Sequence, residues 1–498
     1  MVAWSSIAAL AAAVGAGVDA ATLGLRSGKK DLVDSSKLRK LLNTDALRKK
    51  AEILEHIAYS TPSKNRVIGS QGHEDTVAYI QSVIKAYPQY YTLKTQAVPL
   101  LIGISANLTA AGKPIEVFPV TLAPSGHASG PLVNIPNLGC EESDFTTDLT
   151  GSIALIFRGT CESGIKVGNA VAKGAVGVII YNNSPGTLEG YSLQKFEDPA
   201  APYVPTGGVS QSAGEALAAQ LDAGTKINAD LTTLAALKQS LNVIAETKEG
   251  DHDNVLHVGG HSDSVAAGPG INDNGSGTIS LLEIAIQLTK FSVKNAVRFS
   301  WWTAEEAGLL GATYYVSKLS QAEKDKIRLF LDFDMMASPN YAIQIYDGDG
   351  SAFNSTGPPG SAEAEAEFAR YFHKIAHLPS TEIEFDGRSD YGPFLEAGIA
   401  AGGIACGAEG IKTEEEQALF GGAAGVPYDV NYHEDGDTTN NLNYEAWIEM
   451  SRAIAHMVAT YAQSWKGLPP RSYQMAKREA GVNSGVRFRQ SKRFLKYV

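Results

Sequence analysis

At 498 residues, with 44% hydrophobic and 19% charged side chains, the chain has the composition of a folded globular protein with room for more than one domain. That excludes a disordered, collagen-like or membrane-embedded chain. A net charge of −12 excludes a general nucleic-acid binder, because neutralising phosphates needs a basic face.

Residues Met1 to Ala20 contain an apolar run from Ile7 to Val18, too short to cross a bilayer, which ends in Val18-Asp19-Ala20 with small residues where a cut is expected. We read 1–20 as a signal peptide and expect a secreted protein, released to the medium rather than routed to a vacuolar lumen. A Lys-rich stretch with Lys29-Lys30 follows, then helical periodicity from about Thr44 to Ala58 and from Gly72 to Ala86. From about Leu100 to Leu237 the texture changes to short β-rich runs broken by Gly and Pro, clearest at Ile153 to Phe157 and Val176 to Tyr181. This reads as an inserted module, 100–237, in a main domain formed by 21–99 and 238–465. Cys140 and Cys161 lie within it, and an oxidising compartment would permit them to bridge, leaving Cys406 apart. Asn107, Asn182 and Asn354 begin Asn-x-Ser/Thr triplets and are candidate glycan acceptors; Asn274 begins another, but it adjoins a site residue and is expected to stay bare.

Beyond Leu241, strands alternate with helices: strand Val255 to Gly260, helix Thr278 to Phe291, strand Val297 to Thr303, helix Leu309 to Leu319, then strands Ile327 to Phe333 and Ile343 to Tyr346. A helix over Tyr444 to Trp465 closes the domain, and a basic tail, 466–498, follows. The alternation predicts an α/β fold, a mixed, mostly parallel sheet with helices on both faces, and the β-rich insertion beside it.

In such a sheet, ligands gather at the carboxyl ends of the strands. His261 and Asp263 follow the first strand, Glu305 and Glu306 the second and Asp334 the third, while Asp273 lies in the Gly-rich loop from Gly268 to Gly275. Taken singly, an Asp before a helix is an N-cap and a Glu-Glu pair is a solvated first turn. Capping does not explain carboxylates placed directly after buried runs, and gathering so many without a cation is costly. Two imidazoles with several carboxylates and no thiol suit zinc, and a bridging Asp can hold two ions around one water. In the Glu305-Glu306 pair, one carboxylate can then ligate while its neighbour takes a proton from the water.

His261-Ser262-Asp263-Ser264-Val265, the Asp273 loop, Thr303-Ala304-Glu305-Glu306-Ala307-Gly308, Phe333-Asp334-Met335 and Tyr432-His433 resemble the zinc aminopeptidase family that includes aminopeptidase Y and the secreted leucine aminopeptidases of bacteria and fungi. The insertion, most clearly Gly151 to Tyr181, resembles the protease-associated domain of that branch. The resemblance implies one zinc on His261 and Asp334, a second on Glu306 and His433, and Asp273 bridging both. It implies that Glu305 acts as general base on the bridged water, that Asp263 orients His261 through its other ring nitrogen, and that Tyr432 holds the developing oxyanion. Arg388, in Arg388-Ser389-Asp390, matches a segment near the substrate, and Cys140 and Cys161 would be bridged. Asn431 departs from the pattern: several secreted relatives carry there a Cys that braces the loop. The implied partners are peptides with a free N-terminus, their first residue hydrophobic and leucine-like, with no nucleic acid, no membrane and a monomeric state. Carboxypeptidases, glutaminyl cyclases and non-catalytic receptor-like proteins share the fold and stay as alternatives, although the receptor branch has lost its metals and all the ligands and Glu305 are present here. Gly-x-Ser-x-Gly and His-Glu-x-x-His are absent, which disfavours a serine hydrolase and a single-zinc thermolysin-type enzyme.

Overall fold

The structure, a computed structural model, describes residues 30–470 apart from 160, 189 and 194–202, together with residue 472. The expected signal segment, Lys29 and most of the basic tail lie outside the described residues. Three helices open the main domain: α1 (Ser35–Lys40), α2 (Thr44–Tyr59) and α3 (Gln71–Lys85). Asn43 accepts the amide of Ala46 and Ser70 that of His73, so both longer helices start where a short polar side chain satisfies a free N–H. Leu47, Ala51, Leu54 and Ala58 recur at helical spacing and form the buried face of α2.

Two strands of 20 residues, β1 (Tyr91–Ala110) and β6 (Asn228–Thr247), run across both ends of the expected insertion and form an antiparallel ribbon from Tyr91 opposite Thr247 to Ala110 opposite Ala229. Each is about 65 Å long at roughly 3.3 Å per residue. Their length departs from the short β-rich runs that the sequence predicts from about Leu100 to Leu237. Within the insertion lie β2 (Gly126–Asn134), β3 (Ile153–Phe157), α4 (Ser163–Ala172), β4 (Gly177–Tyr181), β5 (Thr206–Val209) and α5 (Gln211–Asp222). One half of β6 pairs with β2, and β3, β4 and β5 extend the sheet in parallel. Ala154 and Ile156 enter one core with Val167 of α4, whereas Ile153 and Leu155 enter another with Leu217 of α5. Burial on both faces explains why this strand reads as an unbroken apolar run. Cys140 and Cys161 form a disulfide, and Cys406 is free and buried.

The other half of β6 joins the main sheet. Its elements are β7 (Asp251–His261), α6 (Gly277–Leu288), β8 (Asn295–Trp302), α7 (Leu310–Lys318), β9 (Ile327–Phe333), β10 (Gln344–Tyr346), α8 (Ser361–Arg370), β11 (Thr381–Ile383), β12 (Ala401–Ala405) and α9 (Tyr444–Gln463). The strand order is β11-β10-β12-β9-β7-β8-β6. β7 runs parallel to β8 and β9, and β9 to β12; the antiparallel contacts are β8 with β6 and β10 with β12. Leu329, Leu331 and Phe333 of β9 pack in one core with Leu282 of α6 and Ile454 of α9, while Phe330 packs on the opposite face against Trp302 and Phe394. The sheet is therefore mixed and mostly parallel, covered on both sides. Its parallel centre brings the ends of β7, β8 and β9 to one rim, where His261 pairs with Trp302.

Of the four triplets, Asn107 and Asn354 are exposed. Asn182 and Asn274 are buried, and the Asn182 amide nitrogen donates to Thr187 O at 2.9 Å.

Candidate metal centre

The rim residues stand on turns that the strands fix. His261 is the last residue of β7. Glu305 and Glu306 follow β8 through Ala304 at φ 59°, and Asp334 follows β9 and precedes Met335 at φ 53°. Left-handed backbone at non-glycine residues costs on the order of 1 kcal/mol or more, and it concentrates where geometry serves a site. Asp273 lies in the tight turn Ile271–Ser276 ahead of α6. The turn begins at Gly270 (φ 62°), where a Cβ would lie 2.3 Å from Asp273 O, so only glycine fits.

The two carboxylate oxygens of Asp273 face different histidines. Oδ1 lies 3.2 Å from His261 Nε2, and Oδ2 lies 3.1 Å from His433 Nε2. His261 Nε2 is also 3.4 Å from Asp334 Oδ1 and 3.8 Å from Glu305 Oε2, while His433 Nε2 is 3.2 Å from Glu306 Oε2. Two triads with atoms at ligand spacing result, His261–Asp273–Asp334 and Asp273–Glu306–His433, sharing Asp273; His261, Glu305 and Glu306 make an overlapping third.

These residues fit zinc. His261 Nε2, Glu306 Oε1 and Asp334 Oδ1 are buried without a hydrogen-bond partner, which is costly unless a cation takes their lone pairs. The donors are imidazole nitrogen and carboxylate oxygen only, a set suited to zinc in hydrolytic sites. The local field is negative. Burial pulls the His261 imidazole down, but Asp334, Glu305, Asp263 and Asp273 outweigh it and hold it well above its ordinary range. Burial pushes the Glu305 carboxyl well up, with Glu306, Asp334 and Asp390 adding to the shift and His261 opposing it.

Other site residues take partners that the sequence did not name. Asp263 Oδ1 is 3.7 Å from His261 Nδ1, longer than a hydrogen bond, and that nitrogen has no partner. The Asp263 oxygens instead accept the backbone amides of Glu305 at 3.2 Å and Glu306 at 3.4 Å. Arg388 is exposed, forks onto Glu409 at 2.8 and 3.2 Å, and donates to Tyr432 Oη at 3.0 Å. The Tyr432 ring stacks on His433 with centroids 3.8 Å apart.

Sequence reasoning missed three supports. Ser389 Oγ donates to Asp334 Oδ2 at 2.9 Å. Arg66 is fully buried and donates to the carbonyls of Pro269 at 2.7 Å, Gly270 at 2.5 Å and Ser262, clamping the loop between His261 and Asp273. Asp437 accepts the amides of Asn272 and Asp273 at 2.7 and 2.9 Å. No periodicity or motif marks Arg66, which stands between Asn65 and Val67 in a polar stretch ahead of α3.

Comparison with known proteins identifies the family. The model of peptidase family M28 matches residues 242–458, and that of the PA domain matches residues 128–217. A probable leucine aminopeptidase 2 of Aspergillus fumigatus is 47% identical over 469 residues, 94% of this chain and 91% of that one. Among solved structures, an aminopeptidase from Aneurinibacillus sp. strain AM-1 aligns with a TM-score of 0.64 at 26% identity, covering 88% of this chain and 97% of that one. The zinc aminopeptidase BSAP from Bacillus subtilis aligns with a TM-score of 0.63 at 25% identity, covering 86% and 97%. With near-half identity to a relative along almost its whole length and matches to both family models, the chain belongs to peptidase family M28 and carries an inserted PA domain.

Proposed function

We propose that the chain is a two-zinc aminopeptidase that removes hydrophobic, leucine-like residues from the N-termini of peptides. As a member of family M28 it is a metal-dependent hydrolase, and the names of its relatives and structural neighbours support an exopeptidase acting at the amino end. The observation that carries the count of two is Asp273, with one oxygen toward His261 and the other toward His433. In this reading His261 and Asp334 hold one ion, Glu306 and His433 hold the other, and Asp273 bridges.

When bound, the ions supply Lewis-acid polarisation of a peptide carbonyl and make water easier to deprotonate. The protein's own groups do the rest. Glu305, buried and 3.8 Å from His261 Nε2, accepts the proton of the attacking water and returns it to the leaving amine. Asp263, through the amides of Glu305 and Glu306, sets where that proton is taken up. Tyr432 Oη accepts from Arg388, so its own hydrogen is free to point at the developing oxyanion. Arg388 and Glu409 lie at the exposed edge of the site, where Arg388 contacts substrate.

Residues 100–237 act as a separate unit that shapes access without giving a ligand; Leu100 pairs with Lys238 and Leu101 with Leu237, so chain entry and exit lie side by side. The disulfide supports secretion into an oxidising compartment. No helix among the described residues is long and apolar enough to cross a membrane. The chain works as a monomer. The test is hydrolysis of a panel of aminoacyl-anilides beside N-acetylated controls. Cleavage that requires the free amine and favours leucine supports the reading, and equal cleavage of acetylated substrates contradicts it.

A further inference from the structure

The Tyr432–His433 turn is tied down by hydrogen bonds. Asp429 is buried at 2% exposure; its Oδ1 accepts the backbone amide of Asn431 at 2.9 Å, and Asn441 Nδ2 donates to both of its oxygens at 2.8 and 2.9 Å. Asn441 Oδ1 accepts from Asn431 Nδ2 at 2.6 Å, which closes a ring of hydrogen bonds through Asp429, Asn441 and Asn431, the last by both its side chain and its backbone amide. Asn441 stands just ahead of α9, a helix packed in the main core, so the ring is anchored to a rigid element.

The same ring reaches the other ligand turn. Asp429 Oδ2 accepts from Asn272 Nδ2 at 2.7 Å, and Asn272 adjoins Asp273. A second tie comes from Asp437, whose carboxylate accepts the amides of Asn272 and Asp273 and whose carbonyl accepts the amide of Ile271 at 3.1 Å. The fit around Asn431 is close: a Cβ built on Gly436 would lie 2.1 Å from Asn431 Oδ1 and 2.6 Å from its Cγ. His433 itself sits at φ 59°, a left-handed conformation that costs on the order of 1 kcal/mol or more and persists only where surrounding contacts impose it.

We infer that Asn431, Asn441 and Asp429 are positioning residues that fix His433 relative to Asp273 and thereby set the affinity of the second metal site. The inference rests on the two-zinc reading. Ligand atoms must hold their places within about 0.5 Å for a metal to bind well, and His433, unlike His261, Glu306 and Asp334, comes from a loop with no strand directly behind it. The brace gives that loop the rigidity that strands give His261, Glu306 and Asp334. Asn431 reaches His433 only through the turn, so its removal changes one site and leaves the other.

The test is zinc titration against a competing chelator, with the full chain stripped of metal, for wild type, Asn431→Ala and Asn441→Ala, together with the melting temperature of each zinc-free protein. Wild type is expected to take up two ions. Each variant is expected to keep one at wild-type affinity and bind the other about 10 to 100-fold more weakly, with the zinc-free melting temperature unchanged in Asn431→Ala and lowered by a few degrees in Asn441→Ala, which takes hydrogen bonds from the buried Asp429 carboxylate. The double variant Asn431→Cys with Gly436→Cys is expected to bind the second ion at wild-type affinity when oxidised and to lose it on mild reduction that leaves wild type unaffected. Variants that bind both ions as wild type does would overturn the inference, as would loss of both ions together with a lowered melting temperature. Wild type taking up fewer than two ions would instead remove the two-zinc reading beneath it.

Discussion

The carboxylate of Asp263 accepts the backbone amide of Glu305 at 3.2 Å while lying 3.7 Å from the His261 ring nitrogen it was expected to orient. Asp263 is fully buried, so removing it leaves the Glu305 and Glu306 amides without their acceptor. Asp263→Ala is expected to lower kcat about 10 to 100-fold while the ion at His261 stays bound. Steady-state kinetics with metal analysis checks this. Had Asp263 acted through His261, the zinc at His261 would weaken instead.

Zinc uptake is expected to release protons. Burial pulls His433 down, but Glu306 and Asp273 outweigh it and push the imidazole up to about 10, so the zinc-free site holds a proton at neutral pH. Because the folded value lies above the unfolded one, this proton stabilises the zinc-free protein fully below about 6.5, and that contribution is lost as pH rises toward 10. An entering ion displaces it, so zinc affinity rises between about pH 6 and 8. Calorimetry in buffers of different ionisation enthalpy measures the release; none at pH 7 would contradict the arrangement.

Acid stability offers a check away from the metals. Burial alone would raise the Glu367 carboxyl; hydrogen bonds from Arg370 and His456 prevail and hold it at about 2. A depressed value contributes stability above the unfolded 4.5 and loses it as pH falls toward 2. Glu367→Gln is expected to cost about 1 to 2 kcal/mol at pH 6, discounted because Arg370 is half exposed, and nothing near pH 2. Denaturant midpoints at the two pH values decide it.

The disulfide predicts a thiol count. Cys140 and Cys161 close a loop with a sequence separation of 21, which stabilises by about 2 to 4 kcal/mol. The denatured, unreduced protein is expected to titrate one thiol, Cys406. Three thiols would contradict the bridge.

What the sequence disclosed follows from burial. The rim halves of β7, β8 and β9 are buried and mostly apolar, so a carboxylate or imidazole at or just past the end of such a run stands out as a rim residue. His261, Glu305, Glu306 and Asp334 were legible for that reason. The partner of Asp263 was not, because which donor a carboxylate meets depends on where two separate turns come together. The β1–β6 ribbon escaped notice because Leu234 and Leu237 lie 52% and 63% exposed beside its irregular register, which blurs the alternation that marks a strand. Arg66 and Asp429 work through backbone and amide contacts far apart in sequence, and no local pattern signals them.

The most direct test separates catalysis from metal binding at the Glu305-Glu306 pair. Glu305→Ala and Glu306→Ala are purified, and metal content, melting temperature and turnover on leucyl-anilide are measured for each. Glu305→Ala is expected to keep both ions and the fold while losing on the order of 10² to 10⁴ in kcat, the scale of a general acid-base group. Glu306→Ala is expected to lose one ion, with activity partly recovered by excess zinc. Near-normal turnover in a folded, fully metallated Glu305→Ala protein would contradict the account at its centre.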